Sequence, residues 1–185
     1  MRTRTSVIDS NVLFSIELTD LFLTFAKRRL IRLHWSSTIV DEVRRSLLNS
    51  ARLSPDAVEH RIAAMQRALP DAQAHIADES PKYLGVASSD RHVLALAVSV
   101  RADSIITLNI RDFSSTYCQS FGVGVLSPDD VLTQIVTEDS LGVSVALQEI
   151  ADRRQQPSMT IGELLSKWES RLPSFVAKVR RTVMN

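Results

Sequence analysis

Short apolar segments alternate with longer helix-like segments over residues 5–126. The strand-like segments cover 5–8, 31–35, 104–108 and 123–126, with a shorter one near 74–77. Between them, apolar residues recur at helical spacing over about 12–29, 38–48, 54–69 and 88–98. Parallel strands need long crossover connections, which are usually helices. The alternation therefore predicts an α/β domain with a mostly parallel sheet.

After residue 126 the strand-like segments stop. Helical periodicity covers 128–136, 141–153, 161–171 and 175–183. Thr160 is followed three residues later by Glu163, a capping-box pattern that predicts the start of a helix. We therefore predict an α/β domain at 1–126 and an all-helical C-terminal extension at 127–185. Packing onto the first domain is the simplest role for the extension, and a dimer interface or a groove for a partner segment is the alternative.

Composition excludes several classes of protein. The 185 residues suffice for one domain with an appendage. No apolar run reaches the length that spans a bilayer, and the first residues lack a secretion signal, so we expect a cytoplasmic protein with no membrane association. The single Cys118 excludes an internal disulfide framework and a cysteine-rich zinc site. A net charge of +1 argues against a uniformly basic nucleic-acid binder.

Acidic or amide residues occur at comparable places in this layout. Asp9 ends the first strand, Glu42 lies in the helix after the second strand, and Asp90 opens the apolar helix at 88–98. Asn109 and Asp112 follow the next strand. In a parallel sheet the ends of strands and the starts of helices share one edge, so these residues are expected to converge in an acidic pocket.

Such a pocket favours a divalent cation. Carboxylates packed together repel one another and raise one another's pKa values, and a cation removes that conflict. A set of oxygen donors without cysteine suits Mg²⁺ or Mn²⁺. A bound ion of this kind lowers the pKa of a water ligand and stabilises negative charge on a phosphate, so the predicted chemistry is phosphodiester hydrolysis.

Four sequence motifs make the pattern recognisable. In order they are VIDSNVLF, DEVRRSL, SSDRHVLALAV and IITLNIRDF. Together they resemble the PIN domain over about residues 5–126. The resemblance is strongest to the branch whose last motif is Thr-x-Asn-x-x-Asp-Phe, which contains toxin ribonucleases of type II toxin–antitoxin pairs.

This resemblance implies a fold, an activity and partners. The fold is a PIN-like, Rossmann-like sheet flanked by helices. The activity is that of an endoribonuclease dependent on Mg²⁺ or Mn²⁺, in which water attacks phosphorus and leaves a 5′-phosphate and a 3′-hydroxyl. RNA is then the substrate and a cognate antitoxin protein the partner, with a homodimer as a further expectation.

The resemblance also implies site residues. Asp9, Glu42 and Asp90 match the first three acids, and Asp112 is the nearby acid of this branch; all four are expected to bind the metal and act in catalysis. The supporting residues are Asn11, Thr107 and Asn109. Thr107 matches the hydroxyl that supports the first Asp, and Asn11 is expected to orient it. Asn109 stands where many relatives have a fourth Asp, which leaves the number of metal ions open.

Several residues keep alternative interpretations. Asp9 and Asp90 are also plausible helix N-caps. Glu42 and its neighbour Asp41 lie on opposite flanks of the apolar helix face, so periodicity does not choose between them. The motif favours Glu42, and Asp41 is then a solvated partner of a nearby arginine. His92 is interpreted as part of the helix start and not as a catalytic group.

Function also has alternatives. A PIN nuclease can serve RNA processing without an antitoxin, and replacement of an acid by Asn109 is compatible with a module that binds RNA or protein with weakened catalysis. The arginines that neighbour the acidic motifs, Arg45, Arg91 and Arg111, are candidates for RNA phosphate contacts or for simple surface solvation.

Overall fold

A four-stranded sheet lies at the centre of the N-terminal half. The computed structural model describes residues 3–50, 53–76, 85–154 and 159–184. Within them the strands are β1 (Thr5–Ile8), β2 (Arg32–His34), β3 (Ser104–Ile106) and β4 (Gly124–Leu126). Their order across the sheet is β2-β1-β3-β4 and every pairing is parallel. The prediction of a parallel α/β fold is confirmed.

Helices account for most of the other described residues. Those of the sheet region are α1 (Ser10–Leu13), α2 (Ile16–Lys27), α3 (Ser37–Asn49), α4 (Pro55–Ala68), α5 (Arg91–Ser99) and α6 (Ser115–Gln119). Those that follow are α7 (Pro128–Glu138), α8 (Ser140–Arg153), α9 (Ile161–Trp168) and α10 (Pro173–Thr182). Among the described residues, none of these helices combines the length and hydrophobicity needed to cross a membrane.

The strand register brings the carboxyl ends of the strands to one edge. Val7 of β1 pairs with His34 of β2, and Ile8 pairs with Ile106 of β3. Since all strands run in the same direction, the residues that follow Ile8 and Ile106 leave the sheet side by side. This edge therefore places Asp9 next to Thr107.

The apolar helix predicted near 88–98 is α5, and it packs against β1 and β3. All five residues of the range 93–97 are buried. A helix that is apolar on most sides must lie inside the molecule, and the prediction of a mostly buried helix is confirmed. The first turn of α5 consequently lies at the same edge of the sheet as Asp9.

The C-terminal helices pack directly on the sheet region. Phe175 of α10 meets Phe25 of α2 edge to face with ring centroids 6.3 Å apart, and Trp168 of α9 lies 6.5 Å from Phe175. The carboxylate of Asp129 in α7 accepts the backbone N–H groups of Ser174 and Phe175 at 3.1 and 2.8 Å. Buried apolar residues of all four last helices belong to one cluster with those of the sheet region.

Two local predictions are wrong, and one short helix was not predicted. The single helix expected over 12–29 is divided into α1 and α2, because Ser15 caps α2 by accepting the N–H of Leu18 at 3.4 Å. The strand expected near 74–77 is absent over 74–76, and residue 77 lies outside the described residues. Gln73, just before this range, makes an isolated bridge to Trp35. The short helix α6 lies in a region for which no helix was predicted.

Candidate active site

Asp9 lies at the junction of β1 and α1. Its backbone N–H donates to the carbonyl of Ile106 at 3.0 Å, which extends the β1–β3 pairing by one residue. Its Oδ1 accepts the N–H of Ser10 at 2.6 Å, so Asp9 is the N-cap of α1. The residue is only 4% exposed. The cap interpretation is therefore correct, and it leaves the other carboxylate oxygen for further contacts.

A closed hydrogen-bond network holds the second oxygen of Asp9. Oδ2 accepts from Thr107 Oγ1 and from Asn11 Nδ2, each at 2.7 Å. Thr107 Oγ1 in turn accepts from Asn11 Nδ2 and from the Asn109 N–H, both at 3.0 Å. Asn11 Oδ1 accepts the N–H of Leu108 at 3.0 Å. Because each hydroxyl and amide atom has a complementary partner, the network fixes the carboxylate in one orientation.

Burial raises the pKa of Asp9 above its ordinary value, and the negative charge of Glu42 raises it further. The hydrogen bonds from Thr107 and Ser10 act in the opposite direction without cancelling the effect. The fold thus holds a carboxylate at a position where its charged form is poorly compensated.

The structure distinguishes Glu42 from Asp41. The side chain of Asp41 is 60% exposed and pairs with Arg44 on the same helix. Glu42 is half-buried, and its charge acts on Asp9. Although burial raises the pKa of Glu42, contact with His92 and Ser10 and the charge of Arg45 outweigh it, so the net pKa is lowered. Of the two neighbours, Glu42 is the one at the site.

His92 is part of this cluster, although sequence reasoning set it aside. Its Nε2 is buried and lies 3.3 Å from Glu42 Oε1, an ion-pair distance, but without the alignment of a hydrogen bond. Burial lowers the pKa of His92, whereas Glu42 and then Asp9 raise it more, so the net pKa is raised. The signal in the sequence was its position two residues after Asp90.

Asp90 occupies the N-cap position of α5, but its side chain makes no capping hydrogen bond. The cap interpretation is wrong for this residue. Burial raises the pKa of Asp90, and the charges of Asp9 and Asp112 raise it further. The half-buried carboxylate therefore belongs to the same electrostatic cluster as Asp9.

Asn109 and Asp112 lie on an exposed turn beside the cluster. A 3₁₀ turn covers Ile110–Asp112 and follows Asn109 directly. Asn109 serves the site through its backbone N–H, while its side chain is exposed. Asp112 is exposed as well, and its charge reaches Asp90.

The three arginines considered for RNA contacts are placed differently. Arg45 is exposed on α3, and its charge acts on Glu42. Arg91 is half-buried, and its Nε donates to the carbonyl of Val86 at 3.4 Å. Arg111 lies on the exposed turn between Asn109 and Asp112. Arg45 therefore lowers the pKa of a carboxylate of the cluster.

The donor atoms of the cluster suit a hard divalent cation in type and charge. All four acids offer oxygen, and burial together with neighbouring carboxylates raises the pKa values of Asp9 and Asp90. Among the described residues, no group of three or more His, Cys, Asp or Glu side chains is already close enough to enclose a metal ion. Mg²⁺ does not need such an enclosure, because it usually keeps several waters and binds through one or two carboxylates.

The family follows from comparison with known proteins. Residues 5–111 match the family model of the PIN domain. The chain belongs to the PIN domain family. Residues 128–181 match the model of the VapC50 C-terminal domain, so the PIN domain here is followed by a helical module known from relatives. No solved structure matches the chain.

A curated relative gives the same picture. The chain is 33% identical over 92 residues to a protein named "Putative ribonuclease VapC50" from Mycobacterium tuberculosis. The alignment covers 50% of this chain and 54% of that relative, so the match spans about half the length of the relative. The PIN match contains Asp9, Glu42, Asp90 and Asn109 and ends just before Asp112.

Proposed function

We propose that this PIN protein is an endoribonuclease that depends on Mg²⁺ or Mn²⁺ and acts as the toxin of a type II toxin–antitoxin pair. The observation that carries the proposal is the convergence of Asp9, Glu42 and Asp90 at the carboxyl edge of the sheet. There the charge of Glu42 raises the pKa of Asp9, and the charge of Asp9 raises the pKa of Asp90. Family membership and the name of the 33% identical relative support the ribonuclease activity.

Under this proposal Asp9, Glu42, Asp90 and Asp112 would hold the cation. When bound, the metal supplies an activated water and charge stabilisation at the phosphate. Thr107 and Asn11 hold the carboxylate of Asp9 in its orientation, and the backbone of Asn109 holds Thr107. Because Asn109 stands where many relatives have an Asp, the site would have one negative charge fewer for a second ion.

His92 has a supporting role in this proposal. Its Nε2 lies 3.3 Å from Glu42 Oε1, so the attraction between the protonated ring and the carboxylate would restrain the Glu42 side chain beside Asp9. The raised pKa of His92 favours its protonated form in the absence of metal. We assign it to the positioning of Glu42 and not to proton transfer.

The proposed partners are RNA and a cognate antitoxin. A toxin of this kind is harmless only while a second protein prevents access to its site, so the pair is expected to form a stable complex. We also propose the division into a nuclease unit at 1–126 and an extension at 127–185. The separate family matches at 5–111 and 128–181 support it. The homodimer stays a prediction.

RNA cleavage tests the activity. Purified protein is expected to cleave RNA with Mg²⁺ or Mn²⁺, and Asp9→Asn and Asp90→Asn should lower the rate by about 100-fold or more, since even groups that only orient metal ligands are worth 10–100-fold in metal affinity. Glu42→Gln should also lose most activity. Asp41→Asn is the matched control, because it removes a neighbouring charge outside the cluster. Full activity in both Asp9→Asn and Asp90→Asn would refute the site.

Growth of an expressing host tests the toxin role. Expression of the wild-type protein should arrest growth, and coexpression of the neighbouring gene product should relieve the arrest. Asp9→Asn should grow normally at an equal protein level. Cleavage of RNA without any growth defect would instead support a nuclease of RNA processing.

A further inference from the structure

A basic cleft, separate from the acidic cluster, lies along the outer edge of β2, the first strand in the sheet order. Its volume is about 680 Å³, and it runs from Arg29 past Arg32 and His34 to the turn that contains Asp71. Two guanidinium groups and one carboxylate therefore line it. Residues of the acidic cluster do not contribute to its walls.

The backbone of Arg29 is in an unfavourable conformation. Its φ is 60°, a left-handed value that glycine adopts freely and that costs other residues energy. The N–H of Arg29 bonds to the Ala26 carbonyl at 2.9 Å, and that of Leu30 to the Phe25 carbonyl at 3.0 Å, which closes the end of α2 in the way that usually employs glycine. The side chain of Arg29 is thus present at a cost that glycine would avoid.

Neither arginine of the cleft is neutralised by another residue of the described part of the chain. Arg29 and Arg32 are both exposed, and among the described residues neither forms an ion pair. His34 adds no charge near neutral pH, because burial lowers its pKa, and its Nδ1 lies 3.2 Å from the Ala72 carbonyl. The cleft therefore offers two free guanidinium forks, and such forks fit phosphate groups well.

One end of the cleft, at His34, is close to the acidic cluster. His34 is paired with Val7, which precedes Asp9 by two residues on the neighbouring strand. Strand spacing and rise place the Cα atoms of His34 and Asp9 roughly 8 Å apart. Arg32 is paired with Thr5, four residues before Asp9, so the Cα atoms of Arg32 and Asp9 are roughly 14 Å apart and an RNA strand held at the cluster would follow the edge of β2 past His34 to reach the arginines.

We propose that the cleft at Arg29 and Arg32 binds the phosphate backbone of the RNA substrate on one side of the cleaved bond. The inference rests on the proposed ribonuclease function. Phosphate contacts position a nucleic acid without reading its sequence, so the cleft contributes affinity for single-stranded RNA of any sequence. RNA is favoured over an acidic protein segment because the cleft continues towards a site for phosphodiester chemistry.

Binding of a fluorescein-labelled oligouridylate in EDTA tests the inference, because cleavage is prevented there. Arg29→Gly should weaken binding about fivefold and make the slope of log affinity against log salt shallower by about 0.7, the value for one phosphate contact on a single strand. Adding Arg32→Ser should bring the loss of affinity to about 25-fold and the change in slope to about 1.4. Arg29→Lys should keep most of the affinity, because the charge remains.

The chain contains a matched control in Arg101. This residue also has a left-handed backbone, with φ 52°, at the end of α5, but it does not line the cleft. Arg29→Gly and Arg101→Gly should both leave Tm unchanged or raise it, and only Arg29→Gly should weaken RNA binding. A loss of affinity in a variant that is at least as stable as the wild type separates an RNA contact from a structural role.

The outcomes separate this inference from the proposed function. If the wild type cleaves RNA while Arg29→Gly with Arg32→Ser binds oligouridylate normally, the inference is overturned and the proposed function stands. The inference is equally overturned if these variants lose affinity for polyglutamate and not for RNA. If the wild type neither binds nor cleaves RNA, both are overturned.

Discussion

The carboxyl edge of the sheet and the C-terminal helices satisfy their polar groups to different degrees. At the edge, Asp9 and Asp90 are carboxylates with raised pKa values. The two buried side-chain polar atoms without a hydrogen-bond partner among the described residues, Trp35 Nε1 and His92 Nε2, also belong to the sheet region. In the helices after residue 126, α7 and α9 begin with complete capping boxes, and Asp129 caps α10.

The contrast indicates where the protein gives up stability for function. Capped helices around an apolar core agree with the capping and periodicity of the sequence, as expected of a scaffold. Like charges gathered at a buried edge oppose folding, and natural proteins accept such a conflict where chemistry requires it. Substitutions in the helices should therefore change stability, and substitutions at the edge should change metal binding and catalysis.

The largest expected effect on stability is that of Phe175→Ala. Phe175 is fully buried between Phe25 and Trp168, so its loss should cost about 3–5 kcal/mol of unfolding free energy. Urea denaturation gives the value, and the folded fraction should keep normal cleavage. A cost near zero would mean that α10 does not pack on α2 in solution.

Thr107→Val should act on the site. It removes the hydroxyl that donates to Asp9 and accepts from Asn11 and Asn109, so Asp9 loses its fixed orientation. Loss of such an orienting contact lowers metal affinity by about 10–100-fold. Titration with Mn²⁺ measures this, and Thr107→Ser is the control that should retain the affinity. Equal affinity in the wild type and Thr107→Val would argue against the network.

Asp129→Ala should cost about 1 kcal/mol, the usual value of a helix cap. Its two hydrogen bonds to the first turn of α10 would be lost, without any direct effect on the acidic cluster. Thermal unfolding and cleavage should therefore respond differently, with a lower Tm and an unchanged rate at low temperature. A change in cleavage per folded molecule would show that the two regions are coupled.

Asp90→Asn should have a small stabilising effect in metal-free buffer, below about 1 kcal/mol because solvent screens the half-exposed group. Since the folded pKa of Asp90 is raised, its ionisation costs stability above that pKa and costs nothing below the unfolded value. The advantage of Asp90→Asn should therefore be largest near neutral pH and vanish as the pH falls towards 3.8. Urea denaturation across this range checks the sign.

The sequence predicted the parallel sheet and the position of Asp9 because both depend on local patterns. A strand followed by Asp and a helix is visible in a few residues, as is the apolar run of α5. The break between α1 and α2 was missed because Phe14 and Ser15 do not disturb the apolar periodicity. The cap at Ser15 and the bond from Thr19 Oγ1 to the Leu13 carbonyl that stabilise the break are local but weak signals.

The site was predicted less completely, because its contacts join distant segments. Periodicity did not separate Glu42 from Asp41, and the contact of Glu42 with His92 spans two helices. The absence of a capping bond at Asp90 was not predictable either, since the same residue type caps helices elsewhere in the chain. The roles of these residues stay predictions until they are tested.

Binding of Mn²⁺ followed by Tm tests the central claim most directly, because a ligand that binds only the folded state must stabilise it. The clustered carboxylates at the carboxyl edge predict that Mn²⁺ raises the Tm of the wild type and of Asp41→Asn. Mn²⁺ should have little effect on the Tm of the double variant that carries both Asp9→Asn and Asp90→Asn. An equal rise in all three proteins, or no rise in the wild type, would contradict a cation site at Asp9 and Asp90.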